Sequence, residues 1–153
     1  MRWFLARAVG SAIIAVKQHG RSKSEDAELL AIERQVFTLA LPPSVNSLWT
    51  NVRGRGRVRT PAYDRWRKAA GWELQAQRPK AVKGRVAIQI RASPPVRKRD
   101  LDNLAKPALD LLVAHGAIED DAMVCSLSLA WDRTVESGKI KVAVRRRKLT
   151  AAP

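Results

Sequence analysis

The stretch GRVAIQIRASPPVRKRDLDNLAKPALDLLVAHG, residues 84–116, changes its period part-way along, and that change decides the fold. Its first third sets Val86, Ile88 and Ile90 against Arg85, Gln89 and Arg91, the two-residue alternation of a half-buried strand. Ser93, Pro94 and Pro95 break the run. From Asn103 onward the spacing lengthens, so that Leu104, Ala108, Leu111 and Leu112 share one helical face, and Gly116 stands where such a helix ends. Pro107 removes an early helical hydrogen bond unless the regular helix starts near Lys106. Between strand and helix, three cations (Arg97, Lys98, Arg99) run into two acids (Asp100, Asp102).

Working outward, VFTLAL at 36–41 alternates Phe37, Leu39 and Leu41 with Val36, Thr38 and Ala40, then meets Pro42 and Pro43, which predicts a first strand. Residues 61–77 predict a helix with Pro61 in its first turn and an apolar stripe of Trp66, Ala69, Ala70 and Leu74, weakened slightly by Gly71. MVCSLSLAWDR, 123–133, places Met123, Cys125, Leu127, Leu129 and Trp131 on one strand face, with Cys125 buried. KIKVAVRRRK, 139–148, alternates Ile140, Val142 and Val144, and Glu136, Ser137 and Gly138 suit a turn, so the two strands are expected to pair as a hairpin. Residues 22–35 predict a short helix capped at Ser22 or Ser24. The order implies a single α/β (α+β) domain at 36–148, with a mixed sheet of about four strands packed with two main helices. Residues 1–35 read as an extension, partly helical or disordered, and 149–153 as a tail; alternatively, translation begins further in, near Val36.

With 29 Lys and Arg against 14 Asp and Glu, the formal charge is +15, and the expected partner is a polyanion, nucleic acid before all others. Arg53, Arg55, Arg57 and Arg59 recur at every second position of the segment 42–60, a comb for phosphates if the backbone is extended, or a solvated loop. One cysteine in 153 residues excludes an intrachain disulfide and a cysteine zinc cluster, and is expected of a protein in a reducing cytoplasm. Arg7 interrupts the apolar run of residues 1–20, so neither a secretory signal nor a membrane span is expected there.

Basicity does not separate a binder from an enzyme, but the acids do. In an extended segment the carboxylates of Asp100 and Asp102 point the same way and can share a cation; helix capping by Asp102 or Asn103 explains one acid only. A second cluster, Glu119, Asp120 and Asp121, lies in a turn before the next strand, either simply solvated or returned to the first cluster by the helix between them. Hard divalent ions choose carboxylate oxygen and leave positions open for phosphate. Lys106 either neutralises charge at phosphorus or forms an ordinary pair with Asp102 four residues before it. Asp110 is assigned to pairing or solvent, and His115 to the helix C-terminus.

RDLDNLAKPALDLL, the downstream EDD and the upstream LALPPSVNSLW together resemble the RusA family of Holliday junction resolvases, over about residues 36–148. The resemblance implies a homodimeric endonuclease of phage origin that uses Mg²⁺, or Mn²⁺ in its place, to nick two opposed strands of a four-way DNA junction. By motif, Asp100 and Asp102 match the first two catalytic aspartates, Asp121 the third and Lys106 the lysine, with Asp120 beside them as a supporting ligand. Asn46 and Asn103 also match the family pattern. Arg97, Lys98 and Arg99, with the arginines of the comb, are the expected DNA contacts. The five tryptophans could stack on unpaired bases at a junction, but Trp66, Trp72 and Trp131 sit on apolar faces and are expected in the core. The competing readings are a DNA-binding protein that has lost catalysis and a nuclease or ribosome-associated protein directed at RNA.

Overall fold

The computed structural model describes residues 34–95 and 98–147. The extension up to residue 33, the tail and Arg97 lie outside the described residues; of the helix expected over 22–35, only Arg34 and Gln35 fall within them, and they open a strand. That strand, β1 (Arg34–Ala40), is followed by a short 3-10 turn (Val45–Ser47), the ribbon β2 (Trp49–Val52) and β3 (Gly56–Arg59), and helix α1 (Pro61–Ala76). Next come β4 (Val86–Ala92), a 3-10 turn (Asp102–Leu104), α2 (Ala105–Ala114), a third 3-10 turn (Asp121–Met123), β5 (Val124–Trp131) and β6 (Lys139–Arg146). The architecture is the expected α+β one: a mixed four-stranded sheet in the order β1-β6-β4-β5, two helices, and a separate two-stranded ribbon. Among the described residues no helix is long and apolar enough to cross a membrane.

The alternating residues of β4, from Val86 through Ile88 and Ile90 to Ala92, meet Tyr63, Trp66, Ala70 and Leu74 of α1 and Ala108, Leu111 and Leu112 of α2 in one buried cluster. Pro107 is the third residue of α2, where its missing N–H has no intrahelical partner to lose. Ala69 leaves the expected stripe, and Trp72 the expected core, being 78% exposed. At about 100° per residue Trp72 stands on the far side of α1 from the line through Tyr63, Trp66, Ala70 and Leu74. Trp66 is buried and donates its indole N–H to the Ala40 carbonyl at 3.0 Å, while Trp131 packs partly buried against the core.

The expected hairpin between the last two strands is not formed. β4 lies between them, parallel to β5 and antiparallel to β6. Alternation identifies a strand but not its partner, and β4, the most thoroughly buried strand, takes the central place; its parallel pairing with β5 uses α2 as the crossover. The link from β5 to β6 therefore wraps the end of β4, with Asp132 N–H on the Ala92 carbonyl at 2.8 Å and Ser93 N–H on the Lys139 carbonyl at 3.1 Å. The register shifts near Val86 and Ala87, which leaves Cys125 as the extra residue on β5. The single face expected for Met123, Cys125, Leu127, Leu129 and Trp131 is thus divided, because one inserted residue exchanges the two sides of a strand. Cys125 is exposed rather than buried, and Leu127 is 41% exposed on this edge strand.

The outer edge of β1 is covered by side chains. Gln77 accepts from Thr38 N–H at 2.9 Å and donates to its carbonyl at 2.8 Å, and Glu73 accepts from Ala40 N–H at 2.6 Å, so the edge has few free groups for another strand. In the link after β5, the Asp132 carboxylate accepts from Thr134 N–H at 2.8 Å, Thr134 Oγ1 at 2.6 Å and Arg91 at 3.1 Å. These bonds, led by those from Thr134, lower its pKa to about 2. Because the folded value is depressed below the unfolded value of about 3.9, its stabilisation is complete above that value and is lost as pH falls through about 2. Asp132→Asn is therefore expected to flatten the acid limb of the stability curve between about pH 4 and pH 2, measured by urea unfolding at each pH; an unchanged limb contradicts the assignment.

Candidate active site

The acid-bearing segment leaves the C-terminal end of β4 and turns into α2. Lys98, Arg99, Asp100 and Asn103 line one side of a cleft of about 400 Å³, and Ser44 and Asn46 line the other. The two motifs that lie far apart in sequence thus meet in one place, with the turn at Val45–Ser47 against the turn at Asp102–Leu104. The Arg99 guanidinium donates to the Pro42 carbonyl, while its buried Nε has no partner among the described residues. Burial pushes its pKa below the usual arginine value.

Asp102 opens the 3-10 turn, and neither it nor Asn103 caps a helix: the cap positions fall at Leu101 and Leu104, without side-chain hydrogen bonds. The capping explanation of this acid is thereby removed. Asp100 and Asp102 are both exposed, and among the described residues their carboxylates accept no hydrogen bond and form no ion pair. Carboxylates without a partner among the described residues, that of Asp100 in one cleft with Lys98 and Arg99, are groups left available to something other than the fold.

The second cluster divides its work. Glu119 accepts from Gly84 N–H at 2.8 Å, and the neighbouring Val82 N–H bonds the Ala117 carbonyl at 3.0 Å, which ties this turn to the segment before β4. Asp120 accepts from Ala122 N–H at 2.7 Å and so caps the turn Asp121–Met123. Only Asp121 of the three faces Lys106, at 3.1 Å, and Lys106 also holds Asp110 at 2.6 Å. The alternative Lys106–Asp102 pair is replaced by these two, because Asp102 precedes the regular helix and is not one α-helical turn below the lysine. Hydrogen bonds to Asp110 and then Asp121 raise the Lys106 pKa, and Lys106 foremost lowers that of Asp121. Ammonium and carboxylate are each held in the charged form. Asp110, noted in the sequence only as a pairing residue, belongs to this site as the second anchor of Lys106.

Among the described residues no three carboxylate, imidazole or thiolate side chains stand together as a ready metal cage. The donor chemistry still fits a hard divalent cation: among the described residues the carboxylates of Asp100 and Asp102 are uncommitted, and Asp121 is ionised with an ammonium at its oxygen. His115, the C-cap of α2, is not at this site. Its imidazole turns to α1, with Nδ1 3.2 Å from the Gln75 amide and the ring against Gly71. A Cβ at Gly71 would meet His115 Nε2 at 2.5 Å, so the glycine that weakens the helix on paper admits the ring.

The basic segment 42–60 is a ribbon rather than a comb. Gly54 and Gly56 adopt positive φ, and Arg55 N–H bonds the Val52 carbonyl at 3.0 Å, so Arg53 and Arg55 stand exposed at a tight turn. Arg57 lies over the Trp49 ring at 5.5 Å, and Arg59 pairs with Asp64 at 2.9 Å. The four do not form one row because the positive φ values bend the strand between them.

A model of the family described as Endodeoxyribonuclease RusA matches residues 40–145, a span that takes in Asn46, Asp100, Asp102, Lys106 and Asp121. The chain belongs to the RusA family. Among its RusA relatives, the crossover junction endodeoxyribonuclease of Enterobacteria phage HK97 is 30% identical over 110 residues, 71% of this chain and 91% of that one. The crossover junction endodeoxyribonuclease of Aquifex aeolicus is 26% identical over 115 residues, 74% of this chain and 90% of that one. The RusA match begins beyond β1's midpoint and leaves the first 39 residues outside it.

Proposed function

We propose that this chain is a metal-dependent, structure-selective DNA endonuclease that resolves four-way (Holliday) junctions by paired nicks in recombination and repair. The observation that carries the reading is the family match running through the complete acid and lysine set. Asp100, Asp102 and Asp121 would hold Mg²⁺ or Mn²⁺, with the second oxygen of Asp120 in support, its first being taken by Ala122 N–H. The bound ion supplies Lewis acidity toward the phosphodiester. The chain does the rest. Lys98 and Arg99 of the cleft, with the ribbon arginines, attract the backbone, and Lys106, fixed by Asp110, meets the negative charge that grows on phosphorus. A homodimer places two such sites on opposed strands of one junction, which suits paired cutting by a small chain. The protein is proposed to act in the cytoplasm.

With labelled substrates at matched salt, the wild-type chain is expected to cut a four-way junction in Mg²⁺, to leave a linear duplex and structured RNA intact, and to stop cutting in EDTA. Binding without cutting in both Mg²⁺ and Mn²⁺ would favour the silent DNA-binding reading.

A further inference from the structure

A second cleft, of about 470 Å³, lies away from the acids, along α1 where it meets the end of α2. Asp64, Arg67, Lys68, Gly71, Trp72 and Gln75 follow one another at helical spacing along its α1 wall, and Arg59 and His115 complete it. Its composition is unusual for a surface with no role in folding. Trp72 is 78% exposed, while Arg67 and Lys68 form no ion pair among the described residues. Asp64 is already neutralised by Arg59 at 2.9 Å, so the face is left positive, and Arg67 rests over the Tyr63 ring at 5.8 Å. A flat aromatic surface beside unpaired cations matches a base with its flanking phosphates.

We propose that this cleft holds a strand of the DNA substrate, with a base stacked on Trp72 and the adjoining phosphates on Arg67 and Lys68. The inference rests on the nuclease reading, and α2 links the two places. Lys106 stands in its first turn and His115 at its C-cap, nine residues and so about 14 Å apart, roughly four base-pair steps of one strand. A second copy of this chain is a poor occupant, because it would bring the same positive face against this one, whereas a polyanion complements it.

The test compares the wild type with Trp72→Ala, Trp72→Phe and the double variant Arg67→Ala/Lys68→Ala. Binding to a four-way junction, to single-stranded oligo(dT), to dTMP and to inorganic phosphate is measured over a salt series, with light scattering of each protein. Trp72→Ala is expected to weaken junction and oligo(dT) binding by about 5- to 150-fold, with Phe restoring most of the loss. The double variant should lower the salt slope by about one to two. Tighter binding of dTMP than of oligo(dT) would overturn the strand assignment in favour of a free nucleotide. Unchanged junction binding by Trp72→Ala overturns the proposal, as does a loss explained by dissociation of a dimer into monomers. Binding and cutting are scored separately: a wild type that cuts normally alongside an unaffected Trp72→Ala defeats the cleft alone. A wild type that never cuts, with binding weakened in Trp72→Ala, defeats the nuclease reading alone.

Discussion

Asp102→Asn is expected to lower junction cleavage by on the order of 10²–10³ or more while leaving junction binding at or above the wild-type level. The carboxylate is exposed, caps no helix and, among the described residues, pairs with no cation, so its removal costs the fold little. It follows Lys98 and Arg99 in the chain, and removing a negative charge from a surface proposed to meet DNA favours the polyanion. The amide is nearly the same size but is a weaker ligand for a hard cation. Cleavage rate and equilibrium binding, measured on the same junction, separate the two effects. Cutting at the wild-type rate would remove Asp102 from the site, and parallel loss of binding and cutting would make it a structural residue.

The largest effect on stability is expected at Ile90. Its side chain is fully buried at the middle of β4, with β6 on one side and β5 on the other. Ile90→Ala should destabilise by about 2–5 kcal/mol, the removed methyl groups and the residual cavity both contributing. Leu127→Ala, on the open edge strand and 41% exposed, should cost well under half as much. Urea unfolding of the two variants measures both. Equal losses would mean that β5, not β4, carries the centre of the sheet. The comparison bears on function because β4 launches the segment that carries Asp100 and Asp102.

What the sequence revealed about the fold came from period. Val86, Ile88 and Ile90, the run around Phe37 and Leu39, and Ile140, Val142 and Val144 all become strands, and Leu104, Ala108, Leu111 and Leu112 line one buried helical face. Pairing was not legible, since alternation is the same whether a strand joins its neighbour or crosses to another. An extra residue such as Cys125 is equally silent, because a bulge changes the facing of every residue before it without changing composition. Trp72 differs from expectation for another reason: an indole in an amphipathic helix suggests a core, and only the angular position relative to Trp66 and Leu74 puts it outside.

The candidate site was legible as a set of residues more than as an arrangement. The two acids after three cations, and the acids of the later turn, stood out against the charge of the chain. That Glu119 serves the backbone of Gly84 while Asp121 meets Lys106 depends on contacts between positions 35 and 15 apart in the chain, which spacing does not encode; Asp120 bonds locally, to Ala122. Alternation leaves the arginines at 53–59 open to a comb or a solvated loop, and the positive φ of Gly54 and Gly56, which bends the segment, is not written in that alternation.

The central claim is that the acid and lysine cluster cuts DNA at junctions. The most direct measurement takes one immobile four-way junction, prepared four times with the label on a different strand, and maps the products of the wild type and of Asp102→Asn in Mg²⁺. The account predicts nicks at matching positions in two opposed strands with the wild type and none with the variant, which still shifts the junction in a binding gel. Intact strands with the wild type in both Mg²⁺ and Mn²⁺, or the same nicks with Asp102→Asn, would contradict it.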